Sequence, residues 1–144
     1  MSVTYLEAIR EAQARALAED PRVFIYGEDV GRFGGAFKAT KNLAAEFPGR
    51  VKDAPISEDA IVGFAVGAAI EGLRPIIEMQ FADFSTVGLN QIVNQAGTLF
   101  WRTQTPCPIV VRLPSGGTSG SGPFHSQSME AIYSHYPGPV VVTP

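Results

Sequence analysis

Short extended runs closed by glycine or proline recur along this chain, and stretches with helical spacing separate them. Residues 23–26 (VFIY, ending at Gly27), 75–79 (PIIEM) and 109–113 (IVVRL, ending at Pro114) have the length and composition of buried strands, and 50–54 (RVKDA, ending at Pro55) is a further extended piece. Strands that alternate with helices are joined in parallel, so the pattern predicts a three-layer α/β domain with a mainly parallel sheet. In such a fold ligands sit beyond the carboxyl ends of the strands.

The helical stretches carry their own end signals. Thr4 with Glu7 forms a capping box ahead of a face marked by Leu6, Ile9, Gln13 and Leu17, which predicts a first helix to about Asp20, where Pro21 stops it. A short helix is expected over 40–47. Ser57 is the expected N-cap of an almost wholly apolar helix to about Gly72, with Glu58 and Asp59 in its first turn, where the helix dipole favours negative charge. The small residues Gly63, Ala65, Gly67, Ala68 and Ala69 suit close approach of a second element, in this chain or another subunit. Helices are further expected over 85–101 and 128–135, and a last strand over 140–142.

Composition narrows the function. Eleven basic against 14 acidic residues among 144 give a net charge of −3, which lacks the basic footprint of a nucleic-acid or anionic-membrane binder. A bilayer-spanning helix needs about 20 apolar residues in a row, and none is present. Cys107 is the single cysteine, so no internal disulfide can form; with no signal-peptide pattern at the amino terminus, a reducing cytoplasmic setting is expected. Two histidines, His125 and His135, and one thiol have no metal-ligand spacing. The pairs Gly34-Gly35 and Gly116-Gly117 fit neither a dinucleotide fingerprint nor a P-loop, and Ser126 beside His125 lacks a nucleophile elbow.

What remains are the positions that directly follow strands: Glu28 and Asp29, then Ser57 and Glu58, then Gln80 and Phe81, then His125 beyond the Gly/Ser-rich run at 114–123. Singly, each has an ordinary role as a loop acid, a helix-dipole acid, a core aromatic or a loop histidine. Jointly they fall at one sheet edge. The strings GEDVG at 27–31, FGG at 33–35, PISE at 55–58, EMQFADF at 78–84 and HSQS at 125–128 resemble, in order and spacing, the E1 beta subunits of pyruvate and branched-chain 2-oxoacid dehydrogenase complexes. The resemblance covers essentially the whole chain, and GEDVG with HSQS separates it from transketolases sharing the same domain.

The resemblance implies a transketolase-type pyrimidine-binding domain over 1–144, lacking the carboxyl-terminal transketolase-type domain and some elements of typical members. It implies thiamin diphosphate shared with an E1 alpha-type subunit, which would hold Mg2+, in an alpha2beta2 heterotetramer serving a lipoylated E2 acyltransferase. By the same resemblance Glu58 is the acid on the aminopyrimidine nitrogen and Phe81 the aromatic stacked on that ring, with Gln80 its neighbour. His125 is the histidine facing substrate and lipoyl arm, and an unperturbed imidazole titrates near about 6.5, where proton exchange is easy. Glu28 is the acid after the first strand, near the cofactor. Some members bind K+ through backbone carbonyls, here those of 107–112. A non-catalytic interaction module and a transketolase-like carbon-carbon ligase are the alternatives, and HSQS argues against the second.

Overall fold

The computed structural model describes residues 2–117 and 119–144. Helix α1 (Tyr5–Glu19) begins at the expected box: Glu7 N–H donates to Thr4 Oγ1 at 3.3 Å and Thr4 N–H donates to Glu7 Oε2 at 2.8 Å. Its inward stripe is narrower than the spacing predicts, because Gln13 and Leu17 are buried while Leu6 is exposed.

Strands β1 (Val23–Gly27), β2 (Val51–Asp53), β3 (Arg74–Glu78) and β4 (Val110–Arg112) form one sheet, parallel throughout, in the order β2-β1-β3-β4. The chain steps from β1 to β2 on one side, then crosses back to place β3 on the other. Parallel crossovers are right-handed, so the reversal sends the connecting helices to opposite faces. On one face Val23, Ile25 and Val51 pack with Leu17 of α1 and Leu43 of α2 (Leu43–Glu46). On the other, Ile77 packs with Ile61, Val62 and Ala65 of α3 (Glu58–Ile70), while Phe24 and Tyr26 meet Phe64. Three layers result, and the crevice of a doubly wound sheet opens between the tips of β1 and β3.

Several elements differ from the sequence expectation. α2 is one turn instead of 40–47, because Asn42 is left-handed with φ of 66° and breaks any helix entering from Thr40. Ser57 holds the N-cap position of α3 without a side-chain cap hydrogen bond. The helix expected over 85–101 is a 3-10 turn (Ala82–Thr86), a π-helical stretch (Gln91–Ala96) and then α4 (Gly97–Thr103). A π turn shifts the inward face by one residue, and the consecutive Ile92 and Val93 are both buried. The last helix, α5 (Glu130–His135), is shorter than expected and is pinned by Tyr133, whose hydroxyl lies 2.6 Å from Ser85 Oγ.

The run 140–142 forms no strand. Val140 and Val142 are exposed, and Pro137 and Pro139 remove two N–H donors that a ladder entering here would use. No helix among the described residues is long and apolar enough to cross a membrane.

Candidate functional site

A parallel sheet puts every strand's carboxyl end on one side, so the residues after β1, β3 and β4 share that side with the start of α3. β1 and β3 approach very closely at Gly27, where a Cβ would lie 2.1 Å from the Glu78 carbonyl oxygen. Only glycine permits this register. Glu28 follows at once, its N–H donating to the same carbonyl at 3.3 Å.

Glu28 is 3% exposed, and its Oε1 is buried without a hydrogen-bond partner among the described residues. Burial first, then the charges of Glu58 and Asp29, push its carboxyl from 4.5 up to about 7, against a smaller opposing effect of the Gln80 backbone N–H. A carboxyl so placed is close to half-protonated near neutrality and can give or take a proton there. Asp29 adopts φ of 56° and accepts a hydrogen bond from Gln80 Nε2 at 2.7 Å, which ties the tip of β1 to the tip of β3. Glu58, half-buried in the first turn of α3, joins the group through its charge on Glu28.

The next residue along β3's exit, Phe81, starts an aromatic cluster. Its ring meets Phe37 at 5.5 Å, Phe84 at 5.7 Å and His125 at 4.7 Å between centroids, each edge to face, and Phe84 also meets His125 at 5.3 Å. Edge-to-face packing sets positive ring edges against negative faces, so it fixes ring orientation as well as burying area. Phe81 and the Arg112 end of β4 open onto a groove of about 1050 Å³ shared with Ser115, Met129 and Val141.

The expected residues are therefore brought together in two linked groups: Glu28, Glu58 and Gln80 on one side, Phe81 and His125 on the other, joined through the adjacent Gln80 and Phe81. Sequence reasoning missed Phe37, and it held Asp83 and Phe84 within the string EMQFADF without giving either a role. Asp83 is 7% exposed, and its Oδ1 accepts the backbone N–H groups of Ser126 and Gln127 at 3.2 Å each. An acid inside the apolar string FADF was a usable signal, since a buried carboxylate must find donors.

Beneath the site, Glu78 and Arg112 are register partners across β3 and β4 and form an ion pair at 2.7 Å, with Glu78 almost wholly buried. Gly35, with φ of 82°, packs over this pair: a Cβ there would stand 3.0 Å from Glu78 Oε1. Among the described residues no group of three His, Cys, Asp or Glu is placed to hold a metal ion.

Comparison with known proteins identifies the family. The chain is 49% identical to the 2-oxoisovalerate dehydrogenase subunit beta of Bacillus subtilis (strain 168), over 100% of this chain and 45% of the relative. It is 43% identical to the pyruvate dehydrogenase E1 component subunit beta of Rickettsia felis, over 100% and 45%, and 44% identical to the mitochondrial 2-oxoisovalerate dehydrogenase subunit beta of Chaetomium thermophilum, over 96% and 30%. The chain thus spans less than half the length of these curated relatives. The family model described as "Transketolase, pyrimidine binding domain" matches residues 1–144, so the chain belongs to the family of transketolase-type pyrimidine-binding domains.

Proposed function

We propose that this chain is the pyrimidine-binding part of the beta subunit of a thiamin-diphosphate-dependent 2-oxoacid dehydrogenase, the E1 component. With an alpha-type subunit it decarboxylates a 2-oxoacid and passes the acyl group to a lipoyl carrier on an E2 acyltransferase. The observation that carries the reading is the row Glu58, Glu28, Gln80, Phe81 and His125 along the carboxyl side of a parallel sheet, next to its switch point. The names of the relatives, subunits beta of 2-oxoisovalerate and pyruvate dehydrogenases, support it.

The residues present fit an aminopyrimidine. Glu28 offers a buried carboxyl oxygen without a protein partner and a proton affinity near neutrality, Glu58 offers a second carboxyl, and Phe81 offers an aromatic surface. In this reading Glu58 holds a proton at the ring nitrogen, Glu28 keeps the surrounding charge low by being partly protonated, and Phe81 excludes water from one face. Thiamin diphosphate, when bound, supplies the electron sink that decarboxylation requires. His125 carries a proton at the substrate side, and Mg2+ with the diphosphate belongs to the alpha-type partner. A K+ ion on the carbonyls of 107–112 would share the Cys107 and Arg112 oxygens with the Ile109 and Met79 amides, using their second lone pairs.

An alpha2beta2 assembly in the cytoplasm is part of the same proposal. It is supported by α3, which buries Ile61, Val62 and Ala65 against the sheet yet leaves Phe64 and Ile70 exposed. The test is calorimetric titration of thiamin diphosphate with Mg2+ into the chain alone and into its complex with an alpha-type subunit. Binding in the complex, lost together with decarboxylation in Glu58→Gln, is the expected result. Binding in neither sample, or full activity in Glu58→Gln, would leave a non-catalytic interaction module as the better account.

A further inference from the structure

Asp83 sits between Phe81 and Phe84, the two aromatic residues whose rings hold the His125 imidazole edge to face. Its own side chain bonds the backbone that follows that histidine in sequence. Oδ1 accepts the N–H groups of Ser126 and Gln127, both at 3.2 Å, and Asp83 is buried. Residues 81–84 therefore grip the His125 segment twice, through the imidazole by two rings and through the following peptide groups by one carboxylate.

The segment needs such a grip. His125 ends a run in which Gly116, Gly120 and Gly122 all have positive φ, and composition of this kind has little stiffness of its own. Two backbone N–H groups and a buried carboxyl oxygen satisfy one another's hydrogen-bonding needs, and losing the acceptor would leave both donors without it. Two successive donors on one oxygen also restrict the torsions between them, which ring packing alone leaves free.

We infer that Asp83 is a positioning residue: it fixes the peptide after His125 so that the imidazole is held in one orientation against Phe81 before any substrate arrives. This rests on the proposed role of His125 in acyl transfer, and its test separates the two.

In the unmodified full chain, hydrogen exchange of the Ser126 and Gln127 amides should be at least roughly tenfold slower than in an unstructured peptide. Exchange at the unstructured rate overturns the inference with no substitution made. In Asp83→Ala the same two amides should lose that protection and the His125 ring protons should lose their ring-current shift, while amides of β1 and β3 stay protected. Unchanged His125 shifts would overturn it. Should Asp83→Ala lose protection in β1 and β3 as well, Asp83→Asn decides, since its carbonyl oxygen can still accept: retained protection and shifts support the inference, and a loss equal to that of alanine sinks it.

In the assembled enzyme a displacement of about 1 Å can lower a rate on the order of 100-fold. Asp83→Ala should accordingly lower kcat for acyl transfer roughly 10- to 100-fold with KM for the 2-oxoacid within about twofold, and Asp83→Asn should recover most of it. If His125→Ala leaves transfer intact, the proposed role of His125 fails, and the exchange data still decide whether Asp83 anchors the segment.

Discussion

The carboxyl groups of Glu28 and Glu58 interact through charge: after burial, the charge on Glu58 is the largest influence holding the Glu28 carboxyl at about 7. The two acids arrive from different elements, one at the tip of β1 and the other in the first turn of α3. Removing the Glu58 charge in Glu58→Gln should lower the Glu28 midpoint only part of the way toward 4.5, because burial, the larger cause, is untouched. Carbon-13 titration of the Glu28 carboxyl measures this, and a midpoint unmoved by the substitution would contradict the coupling. In the assembled enzyme the same variant should lose decarboxylation by about 100-fold or more.

Glu28 should also make stability depend on pH. Its folded value of about 7 lies above the unfolded 4.5, so between them the folded chain keeps a proton that the unfolded chain has lost. Stability from this group is present below 4.5, declines as pH rises toward 7 and levels off above it. One pKa unit is about 1.4 kcal/mol, and after solvent screening a loss on the order of 2 kcal/mol is expected. Urea unfolding across this range should show the slope, and Glu28→Gln should flatten it.

Phe81→Ala removes the ring against which Phe37, Phe84 and His125 pack. Those pairs bear on folding stability, whereas the proposed contact of Phe81 with the aminopyrimidine bears on binding: an aromatic pair contributes about 0.5–1.5 kcal/mol beyond burial, so cofactor affinity in the complex should weaken by roughly tenfold. Phe81→Tyr, which keeps the ring, should lose far less in the same calorimetric titration.

Two glycines make opposite predictions. Gly27→Ala would drive a Cβ to 2.1 Å from the Glu78 carbonyl and force β1 from β3, with a loss on the order of 3 kcal/mol. Gly67→Ala meets nothing within 4 Å on the exposed side of α3 and should stabilise the chain by about 0.5–1 kcal/mol. Denaturation midpoints of the two variants, measured side by side, check both signs.

Arg112→Ala leaves Glu78 buried without its cation and with Oε1 already unpartnered among the described residues. A loss of about 3–5 kcal/mol is expected, while replacing both partners by apolar residues of similar volume should lose much less. A double-mutant cycle in urea distinguishes the pair from its two desolvated halves.

The parts legible in the sequence are those decided within a few residues. The Thr4–Glu7 box, the β1 run ending at Gly27 and the acids opening α3 are local matters of capping, period and dipole, and they form where the residues signal them. Because Glu28, Glu58, Gln80 and Phe81 come soon after strands, parallel pairing gathers them on one side, whereas His125 lies beyond the glycine run and meets them through contacts of its segment with Phe81, Asp83 and Phe84. What only the tertiary structure decided depends on partners far away along the chain. The central place of β1, the π turn that buries Ile92 and Val93 together, and the unpaired run at 140–142 follow from packing and ladders that no local pattern records. The same is true of chemistry: Glu28 reads as a loop acid until burial and Glu58 raise its proton affinity, and Asp83 as one more acid until two amides from beyond the glycine run close on it. Local signals set which elements form, whereas desolvation and long-range hydrogen bonds set what their residues can do.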